Sequence, residues 1–182
     1  GPLTITTGSG TATSSSSFEL DLLLNTPTTI ATGTYHDVTV TASTATLGGD
    51  ATISGTLRVQ DGATFADACN LVLGSGSFVL DAGATLQVCH AAGISASGNS
   101  GAVQLSGPRS FSDDASYVFS GTAPQATGDG LPSRVRNLSS TNPNELTLTA
   151  STSVAQVLRL ADGNLSLNGQ PLTLLSDASG SA

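Results

Sequence analysis

The strongest constraint on this chain is a near-repeat. Asp61-Gly62-Ala63-Thr64-Phe65 returns as Asp81-Ala82-Gly83-Ala84-Thr85-Leu86, with Gly62 and Gly83 21 positions apart. A looser echo follows at Ala161-Asp162-Gly163-Asn164-Leu165. Around these lie short runs in which two apolar residues flank one intervening residue. They are Val38-Thr39-Val40, Ala45-Thr46-Leu47, Leu57-Arg58-Val59, Leu71-Val72-Leu73, Phe78-Val79-Leu80 and Leu86-Gln87-Val88. The series continues with Val103-Gln104-Leu105, Tyr117-Val118-Phe119, Leu146-Thr147-Leu148, Leu158-Arg159-Leu160, Leu165-Ser166-Leu167 and Leu172-Thr173-Leu174. A period of two is that of a strand with one buried face, so the first and third residues of each run are expected to point inward. Gly48-Gly49, Ser54-Gly55, Gly74-Ser75-Gly76 and Asn168-Gly169 supply tight corners between the runs.

A recurrence of this length is one coil of a stacked-strand rod. The fold class read from the sequence is all-β: a parallel β-helix or β-solenoid with short strands and coils of about 20 residues. A β-sandwich is the alternative, because it too spaces short strands regularly. The recurrence, the shortness of the runs and an aromatic content of only 4% favour the solenoid. Residues 1–17, rich in Thr, Ser and Gly, read as a linker or frayed cap. Residues 18–182 read as a single domain, opened by a capping strand or helical turn over Phe18 to Leu24. Residues 91–101 and 120–134 are expected to leave the coil as loops.

The charged fraction is 10%, against roughly 25% in ordinary globular domains. About 50 residues are Ser or Thr, so polarity comes from hydroxyl groups. There is no Lys; the basic residues are Arg58, Arg109, Arg134, Arg136 and Arg159. That removes Schiff-base chemistry, a P-loop lysine and Lys–Asn isopeptide crosslinks. A net charge of −8 repels phosphate backbones and anionic membranes, so no nucleic acid is expected as a partner. No apolar run approaches the ~20 residues of a membrane span, and no membrane insertion is expected. No basic segment followed by an apolar one marks a signal peptide. Gly1-Pro2 reads as a protease-cleavage scar, so the rest of a longer parent chain is expected as a neighbour.

Cys69 and Cys89 are 20 positions apart, again close to one coil. Equivalent positions on successive coils stack about 4.8 Å apart, which suits a disulfide. A bridge here implies an oxidising, extracytoplasmic setting. The alternatives are two unpaired thiols in the core, or a metal site for which His90 supplies only a third ligand.

Few residues point to chemistry. Asp113-Asp114 is the only adjacent carboxylate pair, and neighbours on a strand face opposite ways, so a solvated turn is the plainer reading than an acid–base pair. Asp61 and Asp81 fall at matching repeat positions, where stacking would crowd like charges; water-facing turn residues are expected rather than a calcium site. His36 and His90 are isolated imidazoles without an orienting carboxylate. Arg134 and Arg136 flank Val135, share one strand face and, with Arg109, form a candidate anion site; Tyr117 is the aromatic that a sugar could stack on. The Thr-x-Thr pairs at 39/41, 44/46 and 147/149 would make an ice-binding face only as a regular ladder, and the β-propensity of Thr explains them otherwise.

The stretches Gly33-Thr34-Tyr35-His36-Asp37-Val38-Thr39-Val40, GSGSFVLDAGATLQVCHAAGI (74–94), SGPRSFSDDASYVFSGTAPQATGDGLPSRVRNLSS (106–140) and LTLLSDASGSA (172–182) carry a resemblance. They resemble repeat regions of large Bacteroidota surface proteins of the type exported by the type IX secretion system. The resemblance covers roughly residues 33–182 and implies a secreted or cell-surface, adhesin-like β-solenoid. The paired cysteines fit that family's habit, and no catalytic residue is carried over.

The functional expectation is a non-catalytic structural stalk or adhesion segment of an extracellular, cell-surface protein. Its expected partners are extracellular polysaccharide or another cell-surface component, and no cofactor or metal is expected. A carbohydrate-binding module using Arg134, Arg136 and Tyr117 is the alternative. An ice-binding protein and a β-helix polysaccharide-degrading enzyme stand further back.

Overall fold

A computed structural model of the chain describes residues 3–7, 10–12 and 20–175, and their side chains from Leu22 on. The described residues form 22 strands and no helix. Every pairing is parallel, and the strands stack into a β-solenoid of about 8 turns. The first sheet runs Leu3–Thr7, Leu20–Leu24, Val38–Val40, Thr56–Val59, Ser77–Leu80 and Arg109–Phe111. The second runs Gly10–Ala12, Thr28–Ile30, Thr44–Leu47, Thr64–Ala66, Thr85–Val88, Ser116–Phe119, Arg134–Ser140, Thr152–Leu160 and Leu172–Leu174. The third holds Gly33–Tyr35, Ala51–Ile53, Val72–Gly74 and Val103–Leu105, and the fourth Gln125–Ala126, Glu145–Thr147 and Asn164–Ser166.

The rod has two halves. From Leu20 to Phe119 the chain visits sheets one, two and three in turn, giving three sides. Beyond it sheets one and three have ended, and the coils are built from sheet two and the fourth sheet. Arg134–Ser140 and Thr152–Leu160 are long strands whose pairing is irregular between Val135 and Asn137. Phe65 pairs with Leu86, 21 residues on, but Leu86 pairs with Tyr117, 31 residues on. The ten extra residues make the change of cross-section. Ala126 N–H donates to Ala91 O and Gly130 N–H to Ile94 O, both at 2.8 Å, so residues 91–94 start the column that the fourth sheet continues. Val103–Leu105 then closes the third sheet against Val72–Gly74. Neither expected insert therefore leaves the rod as a whole: 91–94 and 125–130 carry ladder hydrogen bonds, and within 91–101 only 96–100 form an exposed loop.

The core is a set of inward columns. Leu22, Val38 and Leu57 lead to Phe78, and Ala45 leads to Phe65, Leu86, Tyr117 and Leu138. The expected inward frame holds in most runs, because burying one face of a strand fixes its register. Leu71-Val72-Leu73 is the exception. Val72 is buried and its two leucines are only half-buried, since Val72 pairs with Val103 and Ala51 in the third sheet's inward column. Part of the segment read as a linker or frayed cap is a first coil: Leu3–Thr7 pairs with Leu20–Leu24, and Gly10–Ala12 with Thr28–Ile30. Residues 1–2, 8–9, 13–19 and 176–182 lie outside the described residues.

The near-repeat is a corner. Ala63 N–H donates to Gln60 O (3.0 Å) and Ala84 N–H to Asp81 O (3.2 Å), closing turns whose third residues, Gly62 and Gly83, sit at φ 72° and 76°. An L side chain rarely adopts that conformation, which is why glycine recurs. The echo at Asp162-Gly163 leads instead into the fourth sheet, so it marks a different corner.

Candidate functional site

The polar side chains with the most chemical potential lie along the corner where sheet two ends. Phe65 points inward, and two residues later so does Asp67, fully buried. Ala68 and Cys69 then take left-handed φ values of 47° and 64°, turning the chain back under the carboxylate. Asp67 Oδ1 accepts the N–H of Cys69 (3.2 Å) and of Cys89 on the next coil (2.8 Å); Oδ2 accepts Cys89 again (3.0 Å) and His90 (3.4 Å). Burial pushes this carboxyl above its ordinary 3.8, against the pull of those three N–H groups and the His90 imidazole. Cys69 and Cys89 form a disulfide across the same corner, with Cα atoms 4.7 Å apart. Stacking on adjacent coils put them there.

The corner continues as a polar ladder. Gln125 donates its amide to Val88 O (2.9 Å) and His90 O (3.1 Å) and accepts Gly121 N–H (3.1 Å). Asn142 donates to Ala123 O (2.8 Å) and Gln125 Oε1 (3.2 Å), and accepts Asn144 N–H (2.8 Å). Asp67, Gln125 and Asn142 are buried, and their polar groups bond mainly to backbone that strand pairing leaves over at the corners. The sequence reading missed all three. A signal for two of them was present: the inward frame, continued past Phe65 and past Leu138 and Ser140, lands on Asp67 and Asn142.

Arg109 is not part of an anion site. It stands in the inward column directly after Phe78, at the last strand of the first sheet. Its guanidinium donates to Leu105 O (2.7 and 3.0 Å), Ser95 O (3.1 Å) and Gly98 O. Burial lowers its pKa, and Asp129 opposes that. The side chain covers the end of the three-sided core and ties the 95–98 segment to it.

Tyr117 is also withdrawn. The ring is fully buried, its hydroxyl donates to Ser112 O (2.7 Å), and burial with the Asp113 charge pushes its pKa up. It follows Leu86 in an inward column, so no sugar stacks on it. Arg134 is exposed and Arg136 half-exposed, on either side of buried Val135 as expected; Arg136 Nε donates to Gln156 Oε1 (3.2 Å).

The carboxylates do not converge. Counting back from the Thr64–Thr85 pair sets Gln60 beside Asp81, so Asp61 and Asp81 are one position out of step rather than stacked. Asp81 Oδ2 accepts Arg58 Nε–H at 2.8 Å instead. Asp114 N–H donates to Ser112 Oγ (3.2 Å) in the turn ending at Ala115, so Asp113-Asp114 occupies a turn. His36 Nδ1 lies 3.7 Å from Asp37, and His90 Nδ1 accepts Ala92 N–H (3.1 Å). Among the described residues no group of three or more His, Cys, Asp or Glu side chains is arranged to hold a metal ion.

In the second sheet Thr44, Thr64, Thr85 and Ser116 form a column in register over successive coils. Its neighbour starts with Thr29 and Thr46 and is broken by Ala66 and Gln87. Thr149 instead donates to Gly128 O (2.7 Å). The three Thr-x-Thr pairs thus do not line up as a double ladder.

Comparison with protein-family models, curated proteins and solved structures found no match.

Proposed function

We propose that the chain is a non-catalytic structural or adhesion segment of a secreted, cell-surface protein. One observation carries this reading: the side chains best able to do chemistry are engaged in holding coils together. Asp67, Gln125, Asn142 and Arg109 bond to backbone of their own or adjacent coils, and Tyr117 fills the core. The outward surface is left to hydroxyl groups and few charges, which suits contact with hydrated polysaccharide or another surface component. The disulfide fits an oxidising compartment. The resemblance to repeat regions of Bacteroidota surface proteins points the same way.

A carbohydrate-binding module remains the second reading, because Arg134 and Arg136 share an outward face. It lacks the stacking aromatic that Tyr117 was expected to supply. A glycan array probed with and without calcium separates the two. Silence across glycan classes is the expected result. Reproducible binding to one class, lost in Arg134→Ala or Arg136→Ala, would replace the stalk with the binding module.

A further inference from the structure

The disulfide is presented unevenly to solvent. Cys69 is exposed, whereas Cys89 is buried. Their backbones differ too. Cys89 directly follows the strand Thr85–Val88, and its N–H donates to both oxygens of Asp67, at 2.8 and 3.0 Å. Cys69 bonds to Asp67 more weakly, at 3.2 Å, from a turn that Asn70 N–H closes on Asp67 O at 2.8 Å. Ala68 and Cys69 are successive left-handed residues in that turn, at φ 47° and 64°, a conformation usually left to Gly, Asn and Asp. Asn70 Nδ2 holds the turn further through Leu47 O and Ala68 O, both at 3.2 Å. The strands Thr44–Leu47 and Ser116–Phe119 flank the bridged coils, so this is an outer corner inside the stack.

We propose that this bond is a thiol-exchange site that opens from one side: a small thiol is captured at Cys69, and Cys89 is the sulfur released. The incoming thiolate attacks Cys69 Sγ. A new S–S bond forms there, the bond to Cys89 Sγ breaks, and Cys89 leaves as a thiolate that takes up the proton the thiol lost. One thiol is consumed and one is produced, so no other oxidant or reductant enters. Two features make the captured state last. The Asp67 carboxylate lies against Cys89, and a second negative charge beside it disfavours the Cys89 thiolate that would attack back. The titratable group beside that carboxylate is His90, whose imidazole favours the charged form. The turn at Cys69, freed of its crosslink, is able to leave its left-handed conformation and carry the adduct away from Cys89. The same charge slows the first step, because Cys89 is then the leaving group, so exchange is slow in both directions. The inference goes beyond the proposed cell-surface role and does not depend on it.

The test is incubation of the folded 182-residue chain with mercaptoethanol at mildly alkaline pH, then acid quenching, alkylation of free thiols in denaturant and mass mapping. Cleavage before aspartates places Cys69 in residues 67–80 and Cys89 in residues 81–112. The expected result is a mercaptoethanol adduct on Cys69 and an alkylated Cys89, formed at a rate that rises with thiol concentration. Asp67→Asn should raise that rate severalfold. Arg109→Ala, destabilised at another corner, should keep the wild-type rate. No adduct, an adduct on Cys89 or on both cysteines, or a rate independent of thiol concentration overturns the proposal. So does an Asp67→Asn rate no faster than wild type. An Arg109→Ala rate that rises with that of Asp67→Asn would place the exchange in the unfolded chain and overturn it as well.

Discussion

The carboxylate of Asp67 accepts the backbone N–H of Cys89 through both its oxygens, at 2.8 and 3.0 Å, from the neighbouring coil. The disulfide and a buried acid therefore secure the same corner, and they are expected to respond to different conditions. Burial raises the folded-state pKa of Asp67 above 3.8, so the folded chain holds this proton more readily than the unfolded one. Its contribution to stability is full below about pH 3.8 and declines as pH rises through the folded-state value. In urea titrations, the difference between wild type and Asp67→Asn should follow that course. Parallel curves for the two proteins would remove Asp67 as the titrating group. Asp67→Ala leaves the Cys69 and Cys89 N–H groups without this acceptor and should cost about 1–3 kcal/mol.

Replacing both Cys69 and Cys89 by Ser releases a 20-residue separation in the unfolded chain. The chain-entropy argument puts the loss at about 3 kcal/mol. A matching fall in urea midpoint, reproduced by dithiothreitol in wild type and absent from the variant, is expected. An unchanged midpoint would mean that the stacked strands and Asp67 hold the corner unaided.

Arg109 closes the three-sided core above Phe78 and holds the 95–98 segment through backbone carbonyls. Arg109→Ala should destabilise by about 2–4 kcal/mol, since charged hydrogen bonds and packing over Phe78 are lost together. Lys offers a point charge in place of a planar fork, so Arg109→Lys should recover only part of that. Limited proteolysis gives a second readout: cleavage within the exposed 96–100 loop should accelerate in both variants. Equal cleavage rates would show that the loop is held by other contacts.

Gly93 lies where the fourth-sheet column begins. A Cβ there would come within 2.1 Å of Ala126 O and 2.5 Å of Thr127 O, at φ 68°. Rigid backbone cannot yield, so Gly93→Ala should cost about 3 kcal/mol or more. Gly98→Ala, at φ 76° in open space, supplies the conformational penalty alone, about 1–2 kcal/mol. Similar thermal midpoints for the two variants would contradict the close approach of residues 93 and 126–127.

Much of the architecture was legible because period-two alternation and a 21-residue recurrence both follow from stacking short strands. Cys69 and Cys89 show the rule at its simplest: equal offset along a repeat becomes adjacency in space. Tyr117 shows where residue type misled. Tyrosine suggests a sugar platform, but alternation with Phe119 already placed it inward. Asp61 and Asp81 show a limit of a different kind. One inserted residue in the second turn shifts them out of step, and only the strand register reveals it.

The sequence by itself determined the alternating strand faces and the coil length and favoured pairing of Cys69 with Cys89, because each depends on spacing within one or two coils. Only the tertiary structure decided that a fourth sheet takes over where sheets one and three end, that Arg109 closes the first core, and that Asp67, Gln125 and Asn142 line one buried corner. Those outcomes depend on which backbone groups are left unpaired where coils of different length meet. That is a property of neighbouring coils taken together, set by the hydrogen bonds and core volume they must share.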